Sequence, residues 1–194
     1  MKAMIFAAGL GTRLKPLTDH MPKALVPVAG RPMLEHVILK LKEAGFTELV
    51  INIHHFGEHI IDFLKANQNF GQTIHISDER DRLLDTGGGI KKAATFFTGT
   101  EPLLVHNVDI LSNADLKEVY DFHRKSQNLA TLLVSPRKTS RYLLFDTDNR
   151  LQGWIHKDTL QTKPEGFVYE PGQYREYAFS GIHVISPELF HYMD

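Results

Sequence analysis

The chain has 194 residues, of which 42% are hydrophobic, 23% charged and 10% aromatic. This composition excludes a fully disordered chain and a fibrous repeat, and the length allows one sizeable core. Twenty-two Lys and Arg against 23 Asp and Glu leave a net charge of -1, which argues against a nucleic-acid partner held by counterion release. No cysteine is present, so disulfides and thiolate metal sites are excluded and a reducing compartment is expected. The apolar runs fall short of the ~18 residues of a membrane span, and the N-terminus lacks a small-residue cleavage site. A cytoplasmic domain without a membrane segment is expected.

Apolar patterns of two periods alternate along the first two-thirds of the chain. Ala3–Ala8 is a continuous run bounded by glycine and predicts a buried strand. Over Pro32–Ala44, Leu34, Val37, Ile38 and Leu41 share one helical face, with Pro32 as a starter and Gly45 as a stop. Strands are predicted at Leu49–Ile53, Thr73–Ile76, Leu103–His106 and Ala130–Val134, and helices at Phe56–Ala66, Gly88–Phe97 and Ala114–Lys125. Such alternation implies βαβ units in a mostly parallel sheet with helices on both faces. After about Ser135 the pattern becomes β-rich. Tyr142–Phe145 and Leu151–Ile155 flank a turn at Asp146–Asn149, residues 157–176 read as a surface loop, Ala178–Ile185 as a strand and Pro187–Met193 as a short helix. No linker separates the halves, so one domain over 1–194 is expected, made of residues 1–135 and a β-rich addition at 136–194.

The most informative stretch is Ala7-Ala-Gly-Leu-Gly-Thr-Arg-Leu-Lys-Pro-Leu-Thr18, followed by Pro22-Lys-Ala-Leu-Val-Pro-Val-Ala-Gly30. A buried strand delivers the chain to a turn where Gly9 and Gly11 can bring amides close to an anion. Arg13 and Lys23 add cations, and between Gly9 and Arg31 there are four basic residues and one acid. Four of the nine prolines lie in Pro16–Pro32, which predicts a stiff loop. Taken alone, G-x-G also suits a tight turn after a strand, and the dinucleotide and P-loop fingerprints are both absent.

The longer string G-x-G-T-R-L-x-P-L-T with P-K-x-L-x-P-V-x-G-x-P resembles the nucleotide-binding segment of the sugar-1-phosphate nucleotidylyltransferases. The resemblance continues through Leu84-Asp-Thr-Gly-Gly-Gly-Ile90, Leu104-Val-His-Asn-Val-Asp109 and Phe179-Ser-Gly-Ile-His-Val-Ile-Ser-Pro-Glu188, and so covers almost the whole chain. In the last segment Ser180-Gly181 stands in place of the family's usual residues. The triple glycine and short length look most like the N-acetylmuramate-1-phosphate uridylyltransferase branch, with mannose-1-phosphate guanylyltransferase-like proteins the close alternative.

The resemblance implies a Rossmann-like three-layer α/β/α fold, with a mostly parallel mixed sheet and a β-rich C-terminal addition. It implies a reaction that joins a nucleoside triphosphate to a sugar 1-phosphate and releases pyrophosphate, in NDP-sugar biosynthesis for the cell envelope. Ala8, Gly9, Gly11, Thr12, Arg13, Lys23 and Gly88 are then expected at the nucleotide, Asn107, Lys157 and Gly181 at the sugar phosphate, and Asp109 at Mg²⁺. Arg13, Lys23 and Asp109 are the expected catalytic set. A planar guanidinium suits the departing pyrophosphate, a compact ammonium the α-phosphate, and a carboxylate at a strand end the cation. Asn107 is expected two residues before Asp109 on the same strand face. Lys157 stands in Ile155-His-Lys-Asp158, without the family's glutamate-lysine-proline context.

Duller readings stand beside these: Asp109 as a turn residue, Gly87–Gly89 as a helix cap, and His54, His55 and His59 as structural side chains, since no H-E-x-x-H is present. Two other functions share the loop: a cytidylyltransferase for a small alcohol phosphate, and a catalytically silent nucleotide-binding regulatory protein. The family's second metal-binding aspartate normally lies on a later strand. The chain is therefore expected to be C-terminally truncated and to turn over poorly unless another aspartate, such as Asp158, substitutes; Asp194 follows a helix and is in the wrong context.

Overall fold

A computed structural model describes residues 1–193 and divides into two compact units, Met1–Thr131 with the residues from Ile182 onward, and Leu132–Gly181. In chain order the elements are β1 (Lys2–Phe6), β2 (Pro27–Val28), β3 (Arg31–Pro32), α1 (Met33–Glu43), β4 (Glu48–Ile53), α2 (Gly57–Ala66), β5 (Thr73–Asp78), α3 (Asp85–Ala93), β6 (Leu103–Asn107), α4 (Leu116–Ser126) and β7 (Ala130–Ser135). Then follow β8 (Arg141–Phe145), β9 (Leu151–His156), β10 (Gln161–Lys163) and β11 (Arg175–Ile185).

In the first unit β5, β4, β1 and β6 lie side by side, all parallel, and Ile182–Ile185 of β11 add an antiparallel edge to β6. β1 sits between β4 and β6, with Phe6 opposite both Asn52 and Asn107. Its Ala3, Met4 and Ile5 are completely buried, which is why the run is continuously apolar and not alternating. Met4, Val50, Val105 and Ile185 of the sheet form one cluster with Ile90 and Ala93 of α3. Leu34, Val37, Ile38 and Leu41 of α1 are all buried, as their spacing predicts. Among the described residues no helix is long and apolar enough to cross a membrane.

In the second unit β8 pairs antiparallel with β9, β9 with β10, and Arg175–Tyr177 of β11 with β8. Leu144, Ile155 and Ala178 are buried there.

Several element boundaries differ from the sequence expectation. α2 begins at Gly57, because Phe56 holds a left-handed φ of 55°. α3 begins at Asp85, three residues before the expected Gly88, and ends at Ala93 with a 3₁₀ turn over Ala94–Phe96. α4 begins after Asp115, whose carboxylate accepts from the Glu118 amide at 3.0 Å and so caps the helix. Residues 157–176 are not all loop: Thr162 pairs with Ile155 in a local hairpin and Arg175 with the distant Phe145, ladders that Gly and Pro nearby concealed. The C-terminal helix is a 3₁₀ helix over Pro187–Tyr192, and Asp194 lies outside the described residues.

His106 of β6 and His183 of β11 stand on neighbouring strands, and burial pushes both imidazoles down to about 4. The unfolded chain, with ordinary histidines near 6.5, then binds more protons than the folded one between these values. The stability contributed by the neutral pair is fully present above pH 6.5 and is lost as pH falls toward 4. Urea midpoints are expected to fall from pH 6.5 to 5, where most carboxylates stay ionised; a flat profile over that window would contradict this.

Candidate active site

The carboxyl ends of β1, β4, β5 and β6 face one crevice, and the chain crosses back over β1 to form β6, so the crevice lies where open parallel sheets place ligands. Its volume is about 270 Å³, and Ala8, Gly9, Arg13, Lys23, Asn107 and Asp109 line it. Each arrives from a different constraint.

β1 ends at Phe6, and the next two amides are taken by one buried side chain: Asn52 Oδ1 accepts from Ala7 N at 2.7 Å and Ala8 N at 3.3 Å. The loop then turns at Gly11, with φ 67°. A Cβ there would stand 2.8 Å from Thr18 Cγ2 and 3.0 Å from Lys23 Cβ, so only glycine fits. Thr18 Oγ1 and Leu14 N both donate to the Gly11 carbonyl, at 2.9 and 2.8 Å. Three 3₁₀ turns, Thr12–Leu14, Leu17–Asp19 and Lys23–Leu25, complete the ordered loop that the prolines predict. Thr12 and Arg13 are exposed on it.

Lys23 reaches back to the end of β6. Its Nζ donates to Asp109 Oδ2, 86 residues away, with the ammonium stem largely covered and the carboxylate about one-third exposed. Asp109 is not on the strand: β6 ends at Asn107, and Asp109 stands two residues later in the following turn. The expectation of a shared strand face with Asn107 is corrected accordingly, although both line the crevice.

On the opposite wall Glu79, one residue past β5, is completely buried. Its Oε1 accepts from Asn52 Nδ2 at 2.8 Å and its Oε2 from Leu84 N at 3.2 Å, immediately before α3. A Cβ on Gly89 would lie 3.0 Å from Glu79 Oε1 and 3.0 Å from Phe6 Cε1. The third glycine of the triplet thus lets α3 lie against this pair. Gly88 sits beside it on α3, close to Leu84.

Sequence reasoning missed Asn52 and Glu79. Asn52 did leave a signal, as a polar residue inside the apolar strand Leu49–Ile53; Glu79 stands among charged neighbours in Asp78-Glu-Arg-Asp81, a context that gives no sign of burial. The histidines do other work: His54 Nδ1 bonds the Glu79 carbonyl at 2.7 Å, and the rings of His55 and His59 pack on Phe56. Lys157 and Gly181 belong to the second unit. Lys157 Nζ donates to Tyr169 Oη and Glu176 Oε1, both at 2.7 Å. Burial disfavours its charge, but these two hydrogen bonds outweigh that and hold its pKa above the usual lysine value.

Gly9 and Gly11 separate packing from ligand space. Nothing lies within 4 Å of a Cβ built on Gly9. Gly9→Ala is expected to leave urea stability within about 0.5 kcal/mol of wild type yet to weaken triphosphate binding in calorimetry. Gly11→Ala is expected to cost about 1–2 kcal/mol from its left-handed conformation alone. A Gly9→Ala chain with undiminished triphosphate affinity would contradict a phosphate seat on this turn.

Residues 2–194 match the family described as Nucleotidyl transferase. An N-acetylmuramate alpha-1-phosphate uridylyltransferase of Caulobacter vibrioides is 31% identical over 191 residues, covering 96% of this chain and 76% of that protein. A protein of the same name from Neisseria meningitidis is 44% identical over 120 residues, 62% of this chain. This chain spans only about half, 52%, of the Neisseria protein. In fold, the crystal structure of a glucose-1-phosphate thymidylyltransferase candidate from Bacillus anthracis superposes with a TM-score of 0.81 at 22% identity, over 99% of this chain and 74% of that one. The comparisons give no support to cytidylyl transfer onto a small alcohol phosphate. With the match running from the glycine loop through the crevice to β11, the chain belongs to the nucleotidyl transferase family.

Proposed function

We propose that this chain transfers a uridylyl group from UTP to N-acetylmuramate 1-phosphate, releasing pyrophosphate. The observation that carries the reading is the convergence of Arg13, Lys23 and Asp109, from three separate segments, on one crevice beside the amides of the glycine loop. The two relatives named above supply the base and the sugar.

The acceptor's phosphate oxygen attacks the α-phosphorus in line with the departing pyrophosphate, and no protein nucleophile is needed. The protein then contributes position and charge. Loop amides from Gly9 to Thr12 receive phosphate oxygens, and the Arg13 fork grips the pyrophosphate in pairs of hydrogen bonds. Lys23 exchanges Asp109 for the α-phosphate. The segment at Gly88 takes the nucleoside, while Asn107 serves the sugar phosphate from the crevice wall.

Asp109 suits a divalent cation, Mg²⁺ by preference, because that ion takes one or two carboxylates and completes its shell with phosphates and water. Among the described residues no group of three or more His, Cys, Asp or Glu stands ready for a metal, in keeping with a cation brought by the nucleotide. When bound, it neutralises charge on the phosphates. The reading places the chain in the cytoplasm, where nucleoside triphosphates are made, and requires neither a nucleic acid nor a membrane.

Pyrophosphate release with UTP, GTP and CTP, each paired with N-acetylmuramate 1-phosphate, mannose 1-phosphate and phosphocholine, tests the assignment. UTP with N-acetylmuramate 1-phosphate is expected to be fastest; preference for another pair would contradict it. Lys23→Ala is expected to lose on the order of 10²-fold in turnover, and Arg13→Lys to lose activity too because the bidentate fork is gone. Wild-type turnover in both folded variants would remove these residues from the mechanism.

A further inference from the structure

Two of the most deeply buried polar side chains of the first unit, Asn52 and Glu79, meet at the floor of the crevice, which both line. Their four hydrogen bonds form a chain: Ala7 N and Ala8 N donate to Asn52 Oδ1, Asn52 Nδ2 donates to Glu79 Oε1, and Leu84 N donates to Glu79 Oε2. At one end is the backbone that enters the glycine loop. At the other is the backbone that enters α3, with Leu83, Asp85 and Thr86 on the opposite wall of the same crevice.

The polarity of this chain leaves no freedom. Glu79 has a donor facing each oxygen, so only a carboxylate satisfies both. Asn52 must accept on one atom and donate on the other, so only an amide fits. A buried carboxylate is costly unless it is hydrogen-bonded, and here the bonds come from the elements that face the ligand. Gly89 lets α3 close over the pair, since a Cβ there would lie 3.0 Å from Glu79 Oε1 and 3.4 Å from Asn52 Nδ2. The ring of His54 adds a further tie, to the Glu79 carbonyl.

We infer that Asn52 and Glu79 are positioning residues that set the spacing between the phosphate-binding loop and the α3 wall, and so govern triphosphate binding through the two backbones they hold. This rests on the reading of the crevice as a nucleotide site. In catalysis that depends on placement, a displacement of about 1 Å costs on the order of 10²-fold. Fixing this spacing is therefore a functional role.

The bond pattern supplies its own test. Asn52→Asp sets a carboxylate oxygen against Glu79 Oε1, and Glu79→Gln leaves one acceptor for two donors. In the double variant Asn52→Asp, Glu79→Gln, the new amide at position 79 donates to the new carboxylate at position 52. Its oxygen still accepts from Leu84 N, and the other oxygen at position 52 still accepts from Ala7 N and Ala8 N. All four bonds return with the central one reversed.

Three quantities are measured on the full chain under conditions where circular dichroism shows it folded: UTP affinity by calorimetry, kcat and KM for each substrate, and amide exchange at Ala7, Ala8 and Leu84 without ligand. Each single variant is expected to bind UTP at least about tenfold more weakly, with a larger effect on KM for UTP than for the sugar phosphate, and to exchange faster at these amides. The double variant is expected to recover in all three. If a single variant is too unstable, Asn52→Ser, which retains an oxygen but not the amide donor, takes its place under the same criteria. Folded single variants with wild-type UTP affinity and turnover would overturn the inference. So would a folded double variant no better than the worse single. If the wild-type chain bound no triphosphate, the nucleotide reading would fall separately. The exchange rates would still decide the clamp, upheld if faster in the singles and restored in the double, overturned if unchanged.

Discussion

A buried carboxylate dictates much of this architecture. Glu79 has no exposure to solvent, so its two oxygens must find donors inside the protein. They find Asn52 on one side and the backbone entering α3 on the other, and Asn52 in turn captures the backbone leaving β1. Satisfying one expensive group fixes two loops at once. A hydrophobic pair of the same volume would fill the space but would leave the amides of Ala7, Ala8 and Leu84 without these acceptors, and the loops free to drift.

The sheet explains why these loops meet. Four parallel strands end along one edge, and β1 lies between β4 and β6, so successive carboxyl ends deliver the glycine loop, Asn52, Glu79 and Asn107 to adjacent positions. Lys23 then crosses from the loop to Asp109. Cation and carboxylate satisfy each other at the crevice, so neither carries an unbalanced charge there, and each is placed to take a partner of opposite sign from a triphosphate with its cation. Being partly exposed, the pair contributes little to stability; its value lies in keeping both groups in place.

Much of this was legible in the sequence because it is local. Continuous and 3.6-period apolar patterns marked β1 and α1, and the spacing from Gly9 through Arg13 to Lys23 marked the loop. Gly11 needed only a left-handed turn, which its neighbours imply. What was not legible is long-range. The Asn52–Glu79 bond joins residues 27 apart, and neither side chain announces its partner. Lys157 is held by Tyr169 and Glu176, in a stretch whose glycines and prolines read as loop, and the ladders of β10 and of Arg175–Tyr177 at the start of β11 were hidden for the same reason. Asp109 was found by its string, but its place just past the strand depends on where β6 stops pairing with β1 at Asn107.

A crystal structure of the chain with a non-hydrolysable UTP analogue and Mg²⁺ tests the central claim most directly. The account predicts phosphate density against the amides of Gly9 to Thr12, Arg13 turned onto the terminal phosphates, and Lys23 parted from Asp109 with the Asn52–Glu79 bonds intact. An analogue bound elsewhere on the molecule, with the crevice empty of phosphate and Lys23 still on Asp109, would contradict it.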